Sequence, residues 1–278
     1  MSLTVFLAVL GAALLHAAWN ALIRIGASKV TTMLVMTLVQ GALGCVMTFR
    51  FAWPAPEVWP WLLASGVFHA GYKVFLAFAY EQGDLSRVYP IARGAAPLIV
   101  LAAGALVLDE DLRGQEIAAV LVLGVGILAM GRGAFMSGES RRLVPLALAS
   151  AAMTAGYSLV DGMGARVAGN AAMFVAWLFV LDALIFTPVL VGLRGTGVFR
   201  AGPRVWALGG RAALFSYAAY AIAVWAMTQA PIALVTALRE TSILFAVLIG
   251  WLAFGERMDR TKAVAAFLIL AGVVLTRL

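Results

Sequence analysis

Residues 68–82 read FHAGYKVFLAFAYEQ, and residues 215–229 read FSYAAYAIAVWAMTQ. The two stretches align without a gap, Phe68 falling on Phe215, Ala79 on Ala226 and Gln82 on Gln229. The likeness resumes after a one-residue shift: the segment from Arg93 through LVLDEDL matches the segment from Arg239 through LAFGERM, which sets Glu110 against Glu256. More weakly, AAWNAL at 17–22 resembles AGYSLV at 155–160. Internal self-similarity of this kind means that one structural unit is used twice. The unit is read as residues 1–138 and its second copy as residues 139–278.

The solvent of that unit follows from composition. Of 278 residues, 64% are hydrophobic and only 12% charged, with a mean hydropathy of +1.00. A water-soluble domain averages about 25% charged residues; half of that cannot cover a body of this size, so lipid is the solvent. Crossing the hydrocarbon core takes roughly 20 mostly apolar residues. Such stretches occur at about 3–23, 30–50, 59–80, 88–108, 115–132, 144–165, 170–193, 206–229, 231–254 and 261–277. Each is continuously apolar without strand-like alternation, so the spans are helices and not barrel strands. The expectation is an all-α integral membrane protein of ten transmembrane helices in two five-helix repeats. An odd number of helices per repeat inserts the second copy upside down, the inverted arrangement that recurs in secondary transporters around a midplane site. The N-terminal stretch lacks a positive n-region and reads as a retained first helix.

The net charge of +7 does not point to nucleic acid, because the basic residues form no aromatic-interleaved patch or basic run and most sit singly in the gaps. The gaps on the side of the termini hold Arg50, Arg113, Arg166 and Arg277. Those on the other side hold Arg24, Lys29, Arg87, Arg132, Arg141, Arg142, Arg194, Arg200, Arg204, Arg211, Arg257, Arg260 and Lys262. The positive-inside rule puts the richer side in the cytoplasm, and both termini outside. The single cysteine, Cys45, can form no intramolecular disulfide, and His16 and His69 lie far apart in sequence, so neither metal nor cofactor is expected.

Ionisable groups inside a span cost at least ~2.5–3.5 kcal/mol each at a helix centre and face a cavity or a partner. His16, Trp19 and Asn20 share one face of the first helix, spaced i, i+3, i+4, and His69, Tyr72 and Lys73 repeat that spacing in the third. The fourth carries Tyr89 and Arg93 one turn apart, the sixth Tyr157 and Asp161, the eighth Tyr217 and Tyr220, with Tyr220 in the place of Lys73. The ninth carries Arg239 and Glu240, which as neighbours on a helix point about 100° apart; Glu240 is expected to pair with Arg93 or Lys73. Lys73, Arg93 and Arg239 suit a carboxylate, Asp161 or Glu240 an amine, and the aromatic rings apolar or cationic parts of a cargo. Asp182 stands alone in the seventh helix and is expected in a structural ion pair. Trp53, Trp59, Trp61, Trp206 and Trp251 read as interface anchors. Gly and Pro are dense nearby, at Pro90, Gly94, Pro97, Gly162, Gly164 and Pro231, and Gly124, Gly126 and Gly131 form a small-residue seam that packs within or between chains. No GxxxxGK[ST] occurs, so nothing supports ATP hydrolysis; His16, His69, Asp161 and Glu240 are the candidates for proton coupling.

The segments VYPIARGAAPLIVLAAGALVLDEDL (88–112) and LVTALRETSILFAVLIGWLAFGERM (234–258) resemble the paired fourth- and ninth-helix elements of the drug/metabolite transporter superfamily, EamA type. The resemblance spans both repeats. It implies a central cavity lined by the first, third, fourth, sixth, eighth and ninth helices, no enzymatic activity, and a cargo among amino acids, related metabolites, sugars or sugar phosphates. It also implies termini inside, against the charge count, which puts them outside. The small multidrug exporters of the superfamily depend on a carboxylate in the first helix; this chain has Asn20 there, which disfavours export of lipophilic cations by that route. The expected protein is therefore a monomeric secondary carrier in a bacterial inner membrane, exporting amino acids or similar zwitterionic metabolites. The rival readings are a sugar, sugar-phosphate or drug carrier of the same fold, and a lipid-modifying enzyme using the acidic turn at Asp109, Glu110 and Asp111.

Overall fold

A computed structural model describes residues 1–25, 29–82, 85–107, 113–130, 143–254 and 260–276. The acidic turns at 109–111 and 256, Gly131 and the side chain of Tyr89 lie outside the described residues. The helices are α1 (Leu3–Ile25), α2 (Lys29–Thr48), α3 (Trp59–Gln82), α4 (Leu85–Val107), α5 (Gly114–Met130), α6 (Leu143–Ala168), α7 (Ala171–Arg194), α8 (Pro203–Met227), α9a (Ile232–Arg239), α9b (Ser242–Phe254) and α10 (Arg260–Leu275). Their bounds follow the apolar stretches in the sequence to within a few residues. Seven stretches among the described residues are long and apolar enough to cross a membrane, and three shorter apolar helices lie at Ala92–Gly104, Gly114–Ala129 and Ala263–Leu275. Large apolar side chains such as Leu184, Leu252 and Phe267 stand 65%, 68% and 70% exposed, as lipid allows and water would penalise.

The two repeats are interleaved. α3 packs on α6 and α1 on α8, α4 on α6 and α1 on α9a and α9b, α3 on α7 and α2 on α8, while α2 pairs with α7 and α5 with α10. Exchanging the first five helices for the second five turns each of these contacts into another of the set, or, for α2–α7 and α5–α10, into itself, the signature of a two-fold relation between the repeats. The α2–α7 crossing depends on small residues. A Cβ at Gly44 would stand 2.5 Å from the Ala176 carbonyl oxygen, and one at Gly41 2.5 Å from Ala183 Cβ. The α5 seam packs inside the chain, Gly124 against Leu98 of α4 and Gly126 against Leu268 and Ile269 of α10. Gly162 and Gly164 likewise admit Ile232 and Phe174.

The sequence reads the ninth span as one helix over 231–254, and here the structure differs. α9a ends at Arg239, and the chain turns through Glu240 and Thr241 before α9b begins. The turn is closed by short-range bonds, Glu240 N–H to the Ala237 carbonyl (3.2 Å), Thr241 N–H to Leu238 (3.0 Å) and Ile243 N–H to Glu240 (3.0 Å). Thr241 Oγ1 donates back to the Leu238 carbonyl at 2.7 Å and so competes for the ladder. No proline or glycine marks the position, so the break leaves no trace in the residue pattern. Non-helical backbone at membrane depth is tolerated where it lies inside protein or lines a cavity, and Arg239, Glu240, Thr241 and Ser242 are all buried.

Candidate functional site

The polar residues of the spans converge on one cavity at the centre of the bundle. His16 and Trp19 of α1, His69, Tyr72 and Lys73 of α3, Arg93 of α4, Tyr157 of α6, Tyr220 of α8 and Arg239 of α9a all line it. The cavity draws on equivalent places in both repeats. The α3 positions His69, Tyr72 and Lys73 have Ser216, Ala219 and Tyr220 as their counterparts on α8; Arg93 answers to Arg239, and Trp19 to Tyr157. α2 and α7 contribute as well, through Met36, Gln40 and Phe179. The six-helix lining implied by the family resemblance therefore needs correction. The pairing of α2 with α7 carries both to the centre, and Gln40, a polar residue deep in α2, was the readable sign of it. About 30 Å³ of free space remains inside, room for a water or two and for no organic molecule.

Behind the wall stands a layer of carboxylates, each engaged by the wall. Asp182, fully buried on α7, is paired with Lys73, whose ammonium also donates to Thr37 Oγ1 at 2.7 Å and stands 5.0 Å from the Phe186 ring. Glu240 Oε1 lies 3.4 Å from Arg93 NH1 and 3.7 Å from Arg239 NH2. Asp161, also fully buried, accepts from the Tyr220 hydroxyl and lies 3.0 Å from His69 Nε2. The His69 ring stacks on Tyr157 at 4.2 Å, and the Arg239 guanidinium lies 5.7 Å from the ring centres of Tyr157 and Tyr220. Cations thus face the cavity and anions back them. The positive groups gain neutralising partners without losing access to a guest.

The expected residues fall into three groups. His16, Trp19, His69, Tyr72, Lys73, Arg93, Tyr157, Tyr220 and Arg239 form the wall. Asp161 and Glu240 do not reach it and instead hold wall residues in place. Asn20 and Tyr217 do not reach it either. Asn20 donates to the His16 carbonyl of its own helix at 2.8 Å, and Tyr217 packs on Phe179 at 4.9 Å. The expected pairing of Glu240 with Arg93 is present, as is an ion pair for Asp182. The broken ninth span lets the neighbouring Arg239 and Glu240 serve on opposite sides of the wall. At the α8 end, Arg166 reaches across to the carbonyl of Met227 (3.0 Å), the last residue of that helix, and to that of Ala230 (3.1 Å) in the turn beyond it.

The Lys73–Asp182 pair is the deepest of these, with side chains 2% and 0% exposed. Replacing one partner of a buried pair strands the other, at a cost of about 3–5 kcal/mol, while replacing both with apolar groups does not. Lys73→Met is therefore expected to lower the thermal unfolding midpoint in detergent sharply, and Lys73→Met with Asp182→Leu to recover most of the loss. An unchanged midpoint for the single variant would contradict the pairing.

The sequence profile of the EamA-like transporter family matches residues 3–132 and 142–278, one match for each half. A solved structure described as "Crystal structure of protein" shares the fold, with a TM-score of 0.76 at 21% identity over 99% of this chain and 98% of its own. No curated protein matches the chain in sequence.

Proposed function

Because this chain belongs to the EamA-like transporter family, we propose that it carries amino acids and related small metabolites out of a bacterial cell across the inner membrane, by alternating access through the central cavity. The reading rests on the cavity itself, a space at the crossing of two inverted repeats walled by Lys73, Arg93 and Arg239 among aromatic rings. Exchange of conformation between repeats related in this way converts an opening on one face into an opening on the other. Three cations in a low-dielectric wall make a receptor for the carboxylate of the cargo, and the aromatic rings a receptor for its apolar part. A lipid-modifying enzyme would need a catalytic set near one interface, whereas these groups sit deep in the bundle.

Arg93 offers the cleanest test, because Glu240 keeps Arg239 as a partner when Arg93 is removed. In proteoliposomes, uptake of radiolabelled amino acids is expected to be saturable, and Arg93→Ala to reduce it about tenfold or more, the worth of a charge-assisted hydrogen bond. Repeating the assay with a pH gradient reads proton coupling directly. Absence of saturable flux for every amino acid would overturn this cargo.

With the basic gaps in the cytoplasm, both termini lie on the outer face. Alkaline phosphatase, active only outside the cytoplasm, is expected to be active when fused to the C-terminus; an inactive fusion that is well expressed would reverse the orientation.

A further inference from the structure

Resting on the carrier reading above, we propose that the cavity selects its cargo by one carboxylate and a flat apolar body and leaves the amino group of an amino acid unread, so that aryl carboxylic acids are accepted with or without an α-amino group. The wall is unequal in what it still has to offer. Arg239, 3% exposed, turns NH2 towards the Tyr157 hydroxyl at 3.4 Å and Glu240 at 3.7 Å, while its Nε and NH1 have no hydrogen-bond partner among the described residues. The same holds for Trp19 Nε1; His16 Nε2, which donates or accepts according to its tautomer, is likewise unpartnered, and the two α1 rings touch edge to face at 4.9 Å. Both residues line the cavity, and His16 feels the charges of Arg93 and Arg239. A buried donor with no acceptor is costly. Several on one wall, one of them a guanidinium that stays charged at any relevant pH, describe a guest rich in acceptors and negative in charge. A carboxylate is that guest.

No carboxylate on the wall awaits an ammonium: Asp161 Oδ1, Asp182 Oδ1 and Glu240 Oε2 are also without a hydrogen-bond partner among the described residues, but none of the three residues lines the cavity. Asp161, Asp182 and Glu240 all stand behind the wall, held by Tyr220 and His69, by Lys73, and by Arg93 with Arg239. Besides the Ser216 hydroxyl, the wall presents the Gln40 carboxamide, on a residue 2% exposed, with its oxygen unpartnered. A carboxamide is neutral and both donates and accepts, so it takes an ammonium, a hydroxyl or an acylated nitrogen with little preference. The remaining surface is aromatic. Tyr72, Tyr157 and Tyr220 stand ring to ring at 5.3 and 5.9 Å, and Phe179 lies 5.9 Å from Tyr220. Planar faces set at these angles accept a flat ring by stacking and edge contacts.

The test is binding to the purified full-length protein, read as ligand-induced thermal stabilisation, with L-phenylalanine, 3-phenylpropanoate and 2-phenylethylamine as probes. The two carboxylates are expected to bind within about threefold of each other, and the amine roughly tenfold or more weaker, the margin set by charge-assisted hydrogen bonds to the carboxylate. Trp19→Phe keeps the ring and removes Nε1, and is expected to weaken both carboxylates alike while leaving the amine unchanged; Arg239→Lys should do so more strongly. Equal or tighter binding of the amine, a requirement for the amino group, or no binding of either carboxylate would each overturn the selectivity. Flux is a separate readout. The expected binding pattern without transport in proteoliposomes would support the selectivity and contradict the carrier reading, whereas phenylalanine flux blocked by the amine and untouched by 3-phenylpropanoate would do the reverse.

Discussion

Charge buried in hydrocarbon must be paired or must face a cavity, and the arrangement of this bundle answers that constraint at its centre. Lys73, Arg93, Asp161, Asp182, Arg239 and Glu240 are each at least nine-tenths buried. They are made tolerable by being sorted into two shells, cations on the wall and carboxylates behind it. The sorting ties together helices that are distant in sequence: α3 to α7 through Lys73 and Asp182, α4 to α9a through Arg93 and Glu240, α3 to α6 and α8 through His69, Asp161 and Tyr220. The ties cross between repeats, so the ionic layer also holds the halves in register. A receptor for anionic groups and a clamp between the repeats are the same set of atoms.

The two-fold relation shapes the packing more faithfully than the chemistry. Helix contacts exchange with one another when the repeats are exchanged, and Arg93 and Arg239 are true counterparts. Lys73 has Tyr220 as its counterpart, and these two reach different carboxylates, Asp182 and Asp161. A symmetric scaffold thus carries an asymmetric polar interior. The scaffold permits two equivalent conformations, and the interior decides how unequal they are in energy and which cargo they accept.

The sequence disclosed the scaffold because lipid imposes a strict length and polarity on each span; with so few charged residues, the apolar stretches delimit the helices almost without ambiguity. The i, i+3, i+4 spacing of His16, Trp19 and Asn20, and of His69, Tyr72 and Lys73, pointed to the helices that line the cavity. What spacing could not tell was radial depth. Asn20 shares a face with Trp19, yet bonds to its own backbone; Asp161 lies one turn from Tyr157, yet sits behind it. The break in the ninth span was hidden because Thr241, not a proline or glycine, closes the turn. Gln40 and Phe179 reach the wall because α2 and α7 cross through Gly41 and Gly44, a long-range contact whose local trace was the polar Gln40 deep in α2.

A cavity that alternates between the two faces of the membrane makes one demand that no static channel or enzyme meets. Ala219 lines the wall and is 3% exposed. In a variant carrying Ala219→Cys, with the native thiol removed by Cys45→Ser, modification by a membrane-impermeant thiol reagent can be measured separately from each side, with and without amino acid present. Reaction from both sides is expected, with rates that shift in opposite directions when cargo is placed on one side. Reaction from a single side whatever the cargo, or from neither, would contradict it.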